Sequence, residues 1–229
     1  MGLAGVILAA GESTRMGRDK AMLPWPPISV GSPSGAQSSA WQVGAPAPTQ
    51  TSLGSGTLLS SNIAALNGFC DLVIVVGGEN EGTLRAIVDA SGGFLVRNPR
   101  PDLGQFSSLQ VGLHEVLSQG RDNAMVTLVD RPPPQSTTLQ TLIAEFNGRN
   151  HSVWSVVPEF QGKHGHPILI GREMIEAFLK APTTTTARDV EHANQQRILY
   201  FPVNDPSVVA NIDTPEQYAS LQSVLGTGL

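Results

Sequence analysis

Residues 3–20 read Leu3-Ala4-Gly5-Val6-Ile7-Leu8-Ala9-Ala10-Gly11-Glu12-Ser13-Thr14-Arg15-Met16-Gly17-Arg18-Asp19-Lys20, and the fold class follows from how this passage changes character. Its first seven residues, 3–9, are apolar or small with no polar alternation. That pattern suits a strand buried on both faces of a parallel sheet. Ala9, Ala10 and Gly11 then allow a tight, closely approachable turn, and the chain becomes polar and cationic. Strands of this kind end at the edge of a sheet where open α/β folds bind their ligands.

Working outward, further runs rich in Val, Ile and Leu occupy residues 72–76, 94–96, 124–129, 153–157 and 198–203. Helix-like periodicity falls between several of them, at 57–67, 80–90, 107–119 and 136–148. The alternation predicts an α/β domain with a Rossmann-like, doubly wound and mostly parallel sheet. A chain of 229 residues suffices for one such domain spanning 1–229. Residues 26–55 break the rhythm: they are almost entirely Pro, Gly, Ser, Ala, Gln and Thr and carry no charge, so they read as a flexible insertion.

Bulk properties exclude several function classes. The net charge is −5 with only 14 Lys and Arg, so the chain lacks the clustered cations that general nucleic-acid binding needs. Cys70, the single cysteine, rules out an intrachain disulfide and a multi-cysteine metal site, and its apolar surroundings read as core. The N-terminal apolar run lacks a preceding basic region and turns polar within about ten residues, too short to span a bilayer. A cytoplasmic protein, engaging neither nucleic acid nor membrane, is expected.

The turn after residues 3–9 matches neither the P-loop spacing nor the dinucleotide fingerprint. Consecutive amides at Leu8, Ala9, Ala10 and Gly11 can nonetheless cradle phosphate oxygens, while Arg15 and Lys20 offset triphosphate charge. Asp130 follows the run 124–129 and precedes Arg131-Pro132-Pro133-Pro134, where proline prevents an immediate helix; a carboxylate there is placed to hold Mg²⁺ or else to be a solvated turn residue. Gly104, Gln105, Ser107 and Ser108 open a helix, and the serines suit either an N-cap or recognition of a base edge. Asp213 reads as a carboxylate of the same site or as an N-cap near Pro215. His164 and His166 form a His-x-His pair without a suitably spaced third ligand, which disfavours zinc, and His114 reads as an exposed helix residue.

The string Leu-Ala-Ala-Gly-x-Ser-x-Arg-Met-Gly-x-x-Lys resembles the signature of the MobA-like nucleotidyltransferases, the family of the molybdenum cofactor guanylyl- and cytidylyltransferases. Residues 98–113 (NPRPDLGQFSSLQVGL), 128–133 (LVDRPP), 165–167 and 211–218 (NIDTPEQY) look like later family motifs in the same order. Ala9-Ala10-Gly11 and Gly104-Gln105-x-Ser107-Ser108 are similar to the cytidylyltransferase branch. The sequence departs from the pattern in its longer insertion, in Thr186-Ala187-Arg188 where Gly-Ala-Arg is usual, and in Asn211 where Asp is common.

The resemblance implies a Mg²⁺-dependent enzyme that takes CTP and molybdopterin and passes its product to a molybdoenzyme. It implies Arg15, Lys20 and Asp130 as catalytic residues, with residues 8–11, Arg15, Lys20, Gly104, Gln105, Ser107 and Ser108 around the nucleotide. Asp130 and Asp213 are then metal ligands, and His166 lies beside the second substrate, bonded to a phosphate or a pterin. Transfer to a sugar phosphate, or a non-catalytic cofactor chaperone, are the competing expectations.

Overall fold

A computed structural model of the chain describes residues 2–11, 19–26 and 56–225. Arg15 and nearly all of the 26–55 insertion lie outside the described residues. The elements run β1 (Leu3–Leu8), β2 (Pro24–Trp25), β3 (Gly56–Thr57), α1 (Leu58–Asn67), β4 (Leu72–Gly77), α2 (Glu81–Ala90) and β5 (Phe94–Arg97). They continue with α3 (Gln105–Ser118), β6 (Asn123–Leu128), α4 (Ser136–Gly148), β7 (Ser155–Phe160), β8 (Lys163–His164) and β9 (Ile168–Gly171). The last are α5 (Arg172–Lys180), α6 (Ala187–Ala193), β10 (Ile198–Pro202) and α7 (Pro215–Leu225).

The main sheet has the order β10-β7-β9-β6-β1-β4-β5, with β8 added to β7. Ladders β1–β4, β1–β6, β4–β5 and β7–β10 are parallel, so the expected mostly parallel α/β architecture holds. Two strands depart from this: β9 runs antiparallel between β6 and β7, and the short β8 pairs antiparallel with β7.

Both faces of the sheet are covered, which is why its strands read as continuous apolar runs. On one face Val6, Ile74, Val76, Val126 and Ile170 meet Leu109 and Leu113 of α3 and Phe178 of α5. On the other Ile7, Val73, Val75 and Met125 meet Leu59, Ile63, Leu84, Leu142 and Phe146 of α1, α2 and α4. Each fully buried aliphatic side chain contributes about 1.5–3 kcal/mol to holding these layers together. The helix α3 comes unusually near the sheet because Gly112 has no side chain: a Cβ there would lie 2.8 Å from Val6 Cγ1 and 3.0 Å from Val76 Cγ2.

A smaller cluster carries the functional consequence. Leu23, Trp25, Leu58, Ile212 and Tyr218 bury one another, and Tyr218 donates its hydroxyl to the Pro24 carbonyl at 2.5 Å. It draws residues 211–218 against residues 20–25, nearly the full length of the chain apart. Cys70 is buried, as expected, with its thiol pushed up to about 12 by burial and then by Asp71. No helix of the described residues is long and apolar enough to cross a membrane.

Candidate active site

The carboxyl ends of β1, β4 and β6 open onto a cavity of about 1020 Å³. Its wall includes Leu8, Ala10, Gly11, Lys20, Gly104, Gln105, Ser108 and Asp130, so most of the residues singled out in sequence meet there. The volume is at the upper end of small-molecule sites, enough for a nucleotide.

At one end Lys20 joins two carboxylates. Its Nζ lies 3.2 Å from Asp130 Oδ2 and 2.7 Å from Asp213 Oδ1. Asp130 leaves β6 two residues beyond its last strand residue, and its carbonyl accepts from Ile212 N at 2.9 Å. That bond sets Asp213 beside it. Asp213 is therefore no helix cap: its carboxylate faces Lys20 and also accepts from Asn211 Nδ2, while Gln217 Oε1 and the Thr214 hydroxyl take up the amides at the start of α7. Asp130 Oδ1 and Asn211 Oδ1 are buried without a hydrogen-bond partner among the described residues, an unusual state for side-chain oxygens.

Two asparagines, neither singled out in sequence, fix the surrounding loops. Asn80 stands at the N-cap position of α2, yet its side chain makes no cap bond. Instead Nδ2 donates to the Ala9 carbonyl at 3.0 Å and to Asp19 Oδ2 at 2.8 Å, and Oδ1 accepts from Gly78 N. Asp19 in turn caps the short 3₁₀ turn Lys20–Met22 through Ala21 N. One amide thus pins the end of β1 to the residue preceding Lys20. Asn98, buried and following β5, donates to Ser107 Oγ at 2.9 Å and Ser108 Oγ at 3.0 Å.

This network changes the reading of the serines. α3 starts at Gln105 with Gly104 at the cap position, so neither Ser107 nor Ser108 is an N-cap. Both are buried, and the Ser107 hydroxyl points back to the Gly104 carbonyl at 2.7 Å. Ser108 reaches the cavity wall; Ser107 supports it from behind. Gly104 has φ +87°, a conformation that disfavours other residues, and this positive φ brings the first turn of α3 to the cavity.

A second cavity, about 740 Å³, shares Leu8, Gly104, Gln105 and Leu128 with the first. Phe106, Leu109, Val126 and Ile168 make it largely apolar, and His166, residues 183–188 and Glu191 add polar groups. Burial, then the charge of Arg131, push His166 down to about 4, against a weaker opposing effect of its bond to the Val126 carbonyl. The ring is neutral at pH 7. Its Nδ1 lies 3.4 Å from that carbonyl, which can only accept, so Nδ1 carries the proton and Nε2 is an acceptor. Burial also raises Glu191, with Arg188 opposing. His164, by contrast, is exposed and stacks on Tyr200 with ring centroids 3.8 Å apart, away from any metal-ligand cluster; among the described residues no group of three His, Cys, Asp or Glu could hold a metal ion. His114 is exposed on α3.

A family model described as the MobA-like NTP transferase domain matches residues 5–34 and 48–198. A molybdenum cofactor cytidylyltransferase of Escherichia coli is 23% identical over 218 residues, covering 93% of this chain and 92% of that protein. A probable molybdenum cofactor guanylyltransferase of Mycolicibacterium paratuberculosis is 32% identical over 136 residues, covering 58% of this chain and 51% of that one. Among solved structures, a Mycobacterium tuberculosis protein in complex with manganese superposes with a TM-score of 0.69 at 20% identity, over 97% of this chain and 99% of the other.

Proposed function

Because this chain belongs to the MobA-like NTP transferase family and is a nucleotidyltransferase, we propose that it transfers CMP from metal-bound CTP to the terminal phosphate of molybdopterin and releases pyrophosphate. One observation carries this reading: Lys20 and Asp130 line a nucleotide-sized cavity, Asp213 pairs with the same Lys20, and that cavity shares a wall with a second, more apolar one. The cytidylyltransferase relative spans nearly the whole chain, whereas the guanylyltransferase match covers little more than half of it. Together with Ala9-Ala10-Gly11 this favours CTP.

The donor set fits a divalent cation. Asp130 Oδ1 and Asn211 Oδ1, without a hydrogen-bond partner among the described residues, are hard oxygens beside the Asp213 carboxylate, and Mg²⁺ binds through one or two carboxylates while phosphates and water fill its other positions. Asn211, where the family commonly has Asp, still offers an oxygen, with one negative charge fewer. When bound, the ion supplies charge neutralisation at the phosphoryl oxygens.

The chain's own residues supply the rest. Amides around residues 8–11 hold phosphate oxygens, Lys20 and Arg15 offset the charge of the departing pyrophosphate, and the segment from Gly104 to Ser108 receives the base. An acceptor phosphate oxygen forms a new bond to the α-phosphorus, the bond from that phosphorus to its bridging oxygen breaks, and the electron pair leaves with pyrophosphate. The attacking oxygen is already anionic, so alignment and charge replace a general base. His166 then serves the acceptor's ring and not its phosphate, since Nε2 has no proton to donate.

Incubation with CTP labelled at the α-phosphate tests this reading. Label should enter a molybdopterin dinucleotide while unlabelled pyrophosphate is released, faster than with GTP. Label transfer only to sugar phosphates, or none at all, would refute it.

A further inference from the structure

In the reading just proposed, Lys20 faces the nucleotide phosphates and Asp130 and Asp213 face the metal ion, yet the ammonium sits between those two carboxylates, 3.2 Å and 2.7 Å from their oxygens. The backbone segments that carry the two carboxylates are held together by groups that do not involve the lysine. Ile212 N binds the Asp130 carbonyl, and Tyr218 and Ile212 are buried in the cluster with Leu23 and Trp25. Two like charges held together in this way need a cation between them.

An ion such as Mg²⁺ requires carboxylate oxygens at about 2.0–2.1 Å, and an ammonium using Asp213 Oδ1 occupies that approach. The lysine can yield without disturbing the backbone. Its residue is anchored through Asp19, which caps the turn and is held by Asn80, while its charge is carried at the end of a four-carbon stem with several rotatable bonds.

We infer that Lys20 is a placeholder for the divalent cation: its ammonium and the ion compete for the Asp130–Asp213 pair, and the ion binds tightly only when nucleotide phosphates offer the displaced ammonium a new partner. The inference rests on the metal site proposed above. It makes metal and nucleotide binding mutually reinforcing, with the coupling located in one side chain, and such coupling is reciprocal by thermodynamic necessity. In the nucleotide-free protein the ammonium therefore offsets part of the charge of the pair without a resident ion.

The test is titration of nucleotide-free protein with Mn²⁺ alone, followed by electron paramagnetic resonance at physiological salt. Lys20→Met, which keeps the stem and removes the charge, should bind Mn²⁺ at least about tenfold more tightly than wild type, in the range of typical coupling between sites. Adding Asp130→Asn to that variant should abolish the gain, placing the ion on the pair. Arg100 is exposed and pairs with Asp102 on the cavity wall, so Arg100→Gln, which removes a cation near the same cavity and away from Asp130 and Asp213, should leave affinity unchanged.

Equal or weaker binding by Lys20→Met overturns the inference, as does an equal gain in Arg100→Gln, which would mark a general charge effect. Melting curves with and without Mn²⁺ on Lys20→Met and Lys20→Gln provide a second readout: a larger metal-induced rise than in wild type supports competition, and an equal one contradicts it. If wild type needs a divalent ion for pyrophosphate release but the variants bind it no better, the placeholder idea fails alone. If wild type releases none with any ion, the proposed reaction fails with it.

Discussion

The two cavities share Leu8, Gly104, Gln105 and Leu128 but are built on opposite terms. In the first, polar groups hold one another: Asn80 ties Ala9 to Asp19, Asn98 ties the two serines of α3, and Lys20 ties Asp130 to Asp213. In the second, apolar side chains form most of the wall, and the ring of its histidine is turned by the contact of Nδ1 with the Val126 carbonyl into an acceptor at Nε2. The contrast teaches where selectivity resides. A rigid polar network discriminates through groups that would be left unpaired, whereas an apolar pocket discriminates mainly by shape.

The largest effect should come from cutting the first network at its charge. Asp130→Asn should lower kcat at least about 100-fold, on the scale of losing a preorganised electrostatic group, with an intact far-ultraviolet circular dichroism spectrum. Retention of more than about a tenth of kcat would erase the distinction between the halves.

Asn80→Ala sharpens the comparison from the second tier. Freeing Ala9 and Asp19 should raise KM for the nucleotide about tenfold, equivalent to roughly 1.4 kcal/mol, and leave KM for the acceptor unchanged. Steady-state kinetics varying each substrate in turn would show it; a parallel rise in both would mean that Asn80 merely stabilises the fold.

His166→Leu should do the reverse, raising acceptor KM roughly five- to tenfold at constant nucleotide KM, on the scale of one neutral hydrogen bond. The same residue gives a pH signature. Its folded-state pKa lies below the usual 6.5, so the unfolded chain takes up the proton first. The stability it contributes is complete above about pH 6.5 and is lost as pH falls towards 4, on the order of 2–3 kcal/mol. Chemical denaturation across that window should show a shallower slope in His166→Leu than in wild type. Identical slopes would contradict a neutral, half-buried ring.

The smallest effect concerns the base. Ala10→Gly with Gln105→Ala should narrow the CTP-over-GTP ratio of kcat/KM by a few-fold, on the scale of one methyl or one hydrogen bond in a pocket. Ser107 and Ser108 are poor targets for this purpose, because changing them would also strand Asn98 in a buried position. An unchanged ratio would move base recognition elsewhere.

How much of this was readable in sequence follows the same division. The strand-to-turn passage at residues 3–11 and Asp130 announced themselves because local chemistry and position coincide: an apolar run, then small or charged residues at its end. The predicted helix at 136–148 coincides with α4, and the one at 57–67 begins with Thr57 as the cap of α1. β9 was missed because its four residues, Ile168–Gly171, run directly into α5 and leave no turn signal. Asn80 and Asn98 were missed for a different reason. An asparagine at the mouth of a helix or after a strand already has an ordinary local explanation, and only tertiary contacts reveal that its amide is used elsewhere. Lys20 and Asp213 are 193 residues apart, a meeting created by the cluster around Tyr218 and not encoded in any local pattern.

The most direct measurement is a crystal structure of the protein with Mg²⁺ and a CTP analogue that cannot release pyrophosphate. The triphosphate should lie along residues 8–11 with the ion on Asp130 and Asp213, Lys20 turned from the carboxylates to the phosphates, cytosine against Gly104 to Ser108, and the cavity around His166 open for the acceptor. A nucleotide bound in the His166 cavity, or a triphosphate remote from Asp130, would contradict the account.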